Sequence, residues 1–214
     1  MRYDQECPNP RRLSFIASLG LDPEQSLAVK LAHSRRVVMP DGPEDCRGII
    51  ADGILAKQAG ASASVTVADC MPIWILDRST GRFGVLHSGW AGTGILMDAL
   101  DLLAGIPGHR PSAVSIILGP CIGPCCYRVP PERAIAFMDA FGAEAAVYKD
   151  GSWRLDMRAA NAGIVRARGL PAPLIADECS ACDARFGSSR REGRAAFTRM
   201  LAIVGAIAAE GAGA

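Results

Sequence analysis

The sequence predicts a mixed α/β protein in which helices pack outside a mixed sheet. Three observations carry this. Short apolar, β-branched runs at residues 65–67, 73–76, 83–87 and 114–118 have strand length and strand composition. Two of them, 73–76 and 83–87, flank a breaker-rich turn at 77–81 and form a hairpin, which a purely parallel doubly wound sheet would not contain. Between the runs lie segments of helical period: Ile95, Ala99, Leu102 and Leu103 fall at i, i+4, i+7 and i+8 on one face.

In chain order, residues 11–19 read as a short helix closed by Gly20. Residues 27–38 alternate loosely and are rich in apolar side chains, which puts His33 on or beside a strand. Residues 40–46 form a polar loop, and Asp52-Gly53 marks a turn within the segment 49–55. Val65 to Val67 opens a strand that Pro72 interrupts and residues 73–76 resume. Residues 89–94 break the pattern before a helix for which Thr93 is the expected N-cap. A glycine, proline and cysteine loop spans 119–126, and a helix spans 132–141. A further helix covers 156–168, with Asp156 as N-cap and Gly169 just past its end. A short strand at 174–176 and a terminal helix at 195–209 complete the expectation.

The 214 residues suit one large domain. Half are hydrophobic and 21% are charged, an ordinary globular composition. A formal net charge of +1 gives no reason to expect nucleic acid or an anionic membrane as partner. Residues 1–10 are polar and no apolar leader follows them, and no stretch nears the ~20 apolar residues that span a bilayer. A soluble, cytoplasmic protein is therefore expected, and in a reducing compartment the eight cysteines are thiols, ligands or nucleophiles rather than disulfides. The composition sets no oligomeric state.

The chemistry concentrates in Ala32-His33-Ser34, Ala68-Asp69-Cys70 and His87-Ser88-Gly89-Trp90. The chain has three histidines, and two are here. Two imidazoles and a thiolate make a three-donor set that leaves a tetrahedral zinc one open position. Cys70 beside His87 could equally be a thiolate nucleophile, since an imidazolium lowers a thiol's pKa. The third donor, His33, favours the metal. Asp69 could orient a ligand from behind. The turn at Gly89 and Trp90 offers N–H groups and a helix start to an anion.

Cys179-x-x-Cys182 has zinc-knuckle spacing, and Cys121, Cys125 and Cys126 could complete a site, although ordinary packing of free thiols is the preferred reading. Arg190 and Arg191, with Arg185 and Arg194 nearby, form a basic cluster that reads either as a solvated helix start or as a phosphate grip. No GxxxxGK[ST] or GxGxxG pattern is present.

As a set, Val65-Thr-Val-Ala-Asp-Cys-Met-Pro-Ile, Val85-Leu-His-Ser-Gly-Trp-Ala-Gly and Leu118-Gly-Pro-Cys-Ile-Gly-Pro-Cys-Cys-Tyr resemble the YfiH-like, or laccase-domain, family. Leu31-Ala-His-Ser, Ala51-Asp-Gly-Ile-Leu, Cys179-Ser and Ser188-Ser-Arg-Arg-Glu-Gly resemble its remaining motifs, in order. Members have been called multicopper polyphenol oxidases, purine nucleoside phosphorylases and peptidoglycan editing factors. The resemblance implies an α/β/β/α layering with a zinc or copper centre at His33, Cys70 and His87. It also implies phosphorolysis of adenosine, inosine and methylthioadenosine, with adenosine deamination as a second activity. Nucleoside and phosphate are then the partners, with Arg190, Arg191, Gly89 and Trp90 as the candidate contacts.

The chain departs from the family pattern at Ala91 and Ser189, where arginine and an aromatic or histidine are usual, and it lacks an initial glycine-rich strand segment. Three other functions compete. A Cys70–His87 hydrolase would act on peptidoglycan precursors, a reading to which the family's likeness to toxin deamidases adds. A copper phenol oxidase would use a single copper at two histidines and a cysteine, since the chain has too few histidines for a multicopper cluster. A non-catalytic binding module is the last.

Overall fold

The computed structural model describes residues 9–57, 60–193 and 195–205. Helix α1 (Pro10–Ser18) is followed by strands β1 (Ser26–Leu27), β2 (Val37–Val38), β3 (Gly53–Ala56), β4 (Ser62–Val67), β5 (Met71–Asp77) and β6 (Arg82–Ser88). Helix α2 (Ile95–Ala104), β7 (Val114–Leu118), β8 (Arg128–Val129), α3 (Pro131–Phe141), β9 (Ala146–Lys149) and β10 (Ser152–Leu155) come next. The order closes with α4 (Met157–Ala167), β11 (Leu174–Ile175), α5 (Ser189–Glu192) and β12 (Met200–Gly205).

A six-stranded sheet, ordered β11-β7-β5-β6-β3-β2, is the centre. It is mixed: β5 pairs antiparallel with β6 and β7, whereas β2–β3 and β7–β11 are parallel. Side-chain alternation along its strands separates two cores. Met71, Ile73 and Ile75 of β5 and Leu86 of β6 meet α2, α3 and α4 through Ile95, Leu96, Leu103, Phe137 and Ile164. On the other face, Ile54, Phe83 and Val85 meet Leu27, Ala63, Val65 and Ala202 of a second sheet, ordered β1-β4-β12. The outward residues of β4 are serines and threonine, and Arg12 of α1 donates to Ser64 there. Helices, sheet, sheet and helix therefore stack as four layers. A small sheet, β8-β10-β9, lies beside α3.

Four expectations are corrected. The segment 195–209 is not a helix: residues 195–199 are irregular, β12 follows, and 206–209 lie outside the described residues, as does Arg194. An alanine-rich composition suggested helix, but β12 pairs with β4 over its whole length, from Met200↔Val67 to Gly205↔Ser62, and so satisfies the backbone edge of β4. The run 65–76 is not one strand broken at Pro72. It splits at Ala68–Cys70 into β4 and β5, which belong to different sheets, and Pro72 lies inside β5. Residues 27–38 hold only β1 and β2, with a loop that carries His33 between them. Thr93 does not cap α2: its hydroxyl donates to Gly89 O at 2.8 Å, and Gly94, in the left-handed region, is the N-cap residue. The 77–81 hairpin turn, the helices at 95–104 and 157–167, and the Asp156 cap follow the sequence reading.

Candidate functional site

The split at Ala68–Cys70 places Cys70 where the two sheets diverge. Asp69 turns the chain there with φ of 72°, a left-handed conformation uncommon outside glycine but commoner for Asp than for most residues. His87 is the penultimate residue of β6, the strand paired with β5, and lies two register steps from Cys70: Pro72 faces His87 and Met71 faces Ser88. His33 enters from the β1–β2 loop.

Asp52, which the sequence marks as a turn residue within a family-like segment and not as a site residue, organises that loop. Its carboxylate is fully buried. Oδ2 accepts from Ala32 N at 3.1 Å, Ser34 N at 2.7 Å and Ser34 Oγ at 2.7 Å, and Oδ1 accepts from His33 N at 2.9 Å. Three successive N–H groups on one carboxylate curl the chain so tightly that His33 takes a φ of 58°. Oδ1 also pairs with His87 Nδ1 at 2.9 Å, which leaves Nε2 as the ring atom directed away from the carboxylate. A carboxylate behind an imidazole fixes its tautomer and raises its basicity, the usual arrangement behind metal-bound histidine. The signal available in sequence was the place of Asp52 in the family-like segment Ala51-Asp-Gly-Ile-Leu, which gave it no chemical role.

The donor atoms of His33, Cys70 and His87 lie within 4.8 Å of one another, and the two imidazoles meet edge to face with centroids 4.8 Å apart. Gly89 completes the ring by having no side chain: a Cβ there would stand 2.9 Å from Cys70 Sγ and 3.4 Å from His33 Cδ2. The three groups polarise one another. Burial would raise the Cys70 thiol, but hydrogen bonds to His33 and His87 bring it down to about 7. Burial disfavours the His87 imidazolium, but Asp52 and then Cys70 outweigh it and push His87 up to about 9. The bond to Cys70 raises His33. Asp52 is held at about 2: burial acts against its charge, and the His87 and Ser34 hydrogen bonds overcome that. Two nitrogens, one readily formed thiolate and a carboxylate behind one imidazole make a donor set that fits zinc or copper.

The ring opens into a cavity of roughly 1110 Å³, slightly above the usual ~300–1,000 Å³ for small-molecule sites. Arg12, Lys30, Arg190 and Arg199 give its wall positive charge; Trp90, Tyr127 and Phe197 give it aromatic surface. Arg190 lies 5.5 Å from the Tyr127 ring. Of these, sequence reasoning named Arg190 and Trp90. Arg12 and Arg199 are far apart in sequence and line the same cavity only because β12 returns beside β4, so no local motif announces them.

The other candidates are placed differently. The Arg191 guanidinium does not face the cavity: it donates to the carbonyl oxygens of Ser180, Asp183 and Phe186 and pairs with Glu192. It knits the 180–192 segment together. Asp69 accepts from Ser180 Oγ at 2.8 Å and Arg190 N at 2.7 Å, so it anchors that segment rather than orienting an imidazole. The start of α2 carries the Arg35–Asp98 pair, with Arg35 packed over Gly94, and does not line the cavity. Arg133 of α3 stands 4.3 Å above the Trp90 ring, next to Ala91.

Residues 4–207 match the family model described as multi-copper polyphenol oxidoreductase laccase. The chain is 30% identical over 179 residues to the purine nucleoside phosphorylase YlmD of Geobacillus stearothermophilus, a match covering 72% of this chain and 59% of that protein. It is 30% identical over 195 residues to the human purine nucleoside phosphorylase LACC1, covering 86% of this chain and 44% of LACC1. The chain thus spans about half the length of these two relatives. To adenosine deaminase RL5, from an unknown prokaryotic organism, it is 32% identical over 200 residues, covering 85% and 76%. The crystal structure of the Geobacillus YlmD superposes with a TM-score of 0.82 at 27% identity, covering 92% of this chain and 78% of that one. A model match along nearly the whole chain, on the same layered fold, has one reading: the chain belongs to the multi-copper polyphenol oxidoreductase laccase family, the laccase-domain proteins that its motifs resemble.

Proposed function

We propose that this chain is a metal-dependent purine nucleoside enzyme. It splits adenosine, inosine and methylthioadenosine with phosphate, and deaminates adenosine as a second activity. The observation that carries the reading is the His33–Cys70–His87 ring at the base of a cavity whose wall is both cationic and aromatic. The names of the relatives, phosphorylases and a deaminase, support it.

His33, Cys70 and His87 would hold the metal, with zinc preferred and copper the alternative. When bound, it supplies Lewis acidity and a polarised water close to neutral pH. The protein's own groups do the rest. Trp90, Tyr127 and Phe197 present ring faces against which a purine stacks. Arg190 and Arg199 hold phosphate by charge-assisted hydrogen bonds. In phosphorolysis a phosphate oxygen bonds to the anomeric carbon, the carbon–nitrogen bond breaks, and the purine nitrogen takes a proton. The Arg-lined wall sets phosphate close to the sugar and so converts a two-body encounter into a positioned one. Asp69 holds Arg190 in place through its backbone N–H.

A second reading is favoured by one observation. With Cys70 lowered to about 7 and His87 raised to about 9, a thiolate–imidazolium pair forms in part at neutral pH, as a Cys–His hydrolase or amidase acting on peptidoglycan precursors would need. A copper cluster of laccase type lacks ligands. The third histidine, His109, pairs with Asp77 at the opposite end of the β5–β6 hairpin. Chromatography of adenosine incubated with the zinc-loaded protein tests the proposal. Adenine formed only with phosphate supports phosphorolysis, and inosine supports deamination. No product at high protein concentration refutes adenosine as substrate.

A further inference from the structure

We infer that Cys125, Cys126, Cys179 and Cys182 form a second metal site, a structural zinc clamp that joins the two loops of the cavity wall. The inference is independent of the nucleoside reading. The four sulfurs, from loops more than 50 residues apart, all lie within 4.8 Å of one another. Cys182 Sγ is 3.3 Å from Cys126 and 3.6 Å from Cys125. A regular zinc tetrahedron with bonds of ~2.3 Å puts its sulfurs ~3.8 Å apart, so four thiolates fit around one ion with small adjustments.

The backbone is arranged as such sites require. Each cysteine pair sits on a tight turn: Cys126 N and Tyr127 N donate to Gly123 O, and Cys182 N and Asp183 N donate to Cys179 O. Gly123 N donates to Cys179 Sγ at 3.2 Å, the contact that stabilises a thiolate sulfur. The two turns are already in register through the Cys121↔Cys179 bridge.

Zinc with four thiolates carries a net charge of −2, and the surroundings are cationic. Arg154 donates to Cys125 O at 2.7 Å, Arg190 to Cys126 O at 3.0 Å, Arg158 to Cys121 O at 3.3 Å, and Arg191 to Ser180 O at 2.7 Å. These guanidiniums bond to backbone carbonyls of the cysteine loops and so bring positive charge to the segments that carry the sulfurs. A disulfide between Cys126 and Cys182 would leave two thiols and this concentration of charge unused. The clamp has a consequence for the cavity, because Ile122 and Tyr127 on one loop and Arg190 on the other line it.

The test uses His33→Ala/His87→Ala, which leaves the first centre a single donor. Purified from zinc-supplemented medium, this variant should retain about one zinc per chain. Its zinc K-edge spectrum should show four sulfur neighbours at ~2.3 Å. Adding Cys125→Ser and Cys182→Ser should lower zinc at least tenfold. Should those variants not fold, the spectrum of the first stands alone, with hydrogen exchange of residues 119–127 and 179–193 quickening when a chelator strips the ion. A His33→Ala/His87→Ala protein without bound metal, with four freely titrating thiols or two hydrogens lighter through a disulfide, overturns the inference.

Discussion

Asp52→Asn isolates what the buried carboxylate does. Asn keeps the shape and one acceptor oxygen but loses the charge and presents NH₂ to two or three of the five donors that Asp52 now accepts from. The structure sets the size of the effect. A carboxyl held at about 2 rather than at its ordinary value of 3.8 contributes about 2.5 kcal/mol at neutral pH, at ~1.4 kcal/mol per pH unit. Asp52 is fully buried, so no screening by solvent reduces this. The sign follows from the depressed value: the contribution is complete above the ordinary carboxylate range and is lost as pH falls towards 2. Chemical denaturation of the metal-free proteins at pH 7 should therefore show the variant less stable by about 2–3 kcal/mol. The difference should shrink in acid. An amide at this position also frees the His87 ring to turn or change tautomer, and zinc titration should show affinity about 10–100-fold lower. Equal stability within ~0.5 kcal/mol together with unchanged affinity would refute Asp52 as the organiser of the His33 loop and of His87.

Four further outcomes are expected. Gly89→Ala should lower zinc affinity and adenosine turnover at least tenfold, because its Cβ would displace Cys70 Sγ from 2.9 Å; near-native thermal stability in the same preparation would show the damage to be local. Arg190→Ala should raise the phosphate KM about tenfold with little loss of stability, as expected for one charge-assisted contact of ~1.5 kcal/mol. Arg191→Lys should instead cost about 2–3 kcal/mol in denaturation and leave the phosphate KM nearly unchanged, since a lysine cannot reproduce its fork of carbonyl contacts. Asp77 lies well below the usual carboxylate range: burial opposes its charge, but hydrogen bonds from Ser79, His109 and Thr80 prevail. Asp77→Asn should be less stable than the parent at pH 7, and the gap in urea midpoint should close as pH drops below about 4.

The His33–Cys70–His87 set was legible because histidine is scarce and each donor lies in a short polar break between apolar runs. The hairpin was legible because strand periodicity flanks a turn. Asp52 was not, since an acid before glycine is the ordinary sign of a turn, and its five donors come from segments 18 to 35 residues away. The helix expected at 195–209 failed for a similar reason: local composition favoured helix, while the edge of β4, over 130 residues earlier, required a strand. Arg190 and Arg191 are adjacent and chemically identical, yet one lines the cavity and the other holds its own loop. Which does which depends on the direction of one short helix turn, and no pattern of residues records it.

On the proposed function, one three-residue centre both holds the metal and carries the nucleoside reaction. Zinc content and adenosine turnover measured in one preparation of His33→Ala decide this. Zinc should fall by about one ion per chain, and turnover should fall with it by a hundredfold or more. Loss of that zinc with turnover largely retained would contradict it, and would leave Cys70 and His87 acting without a metal.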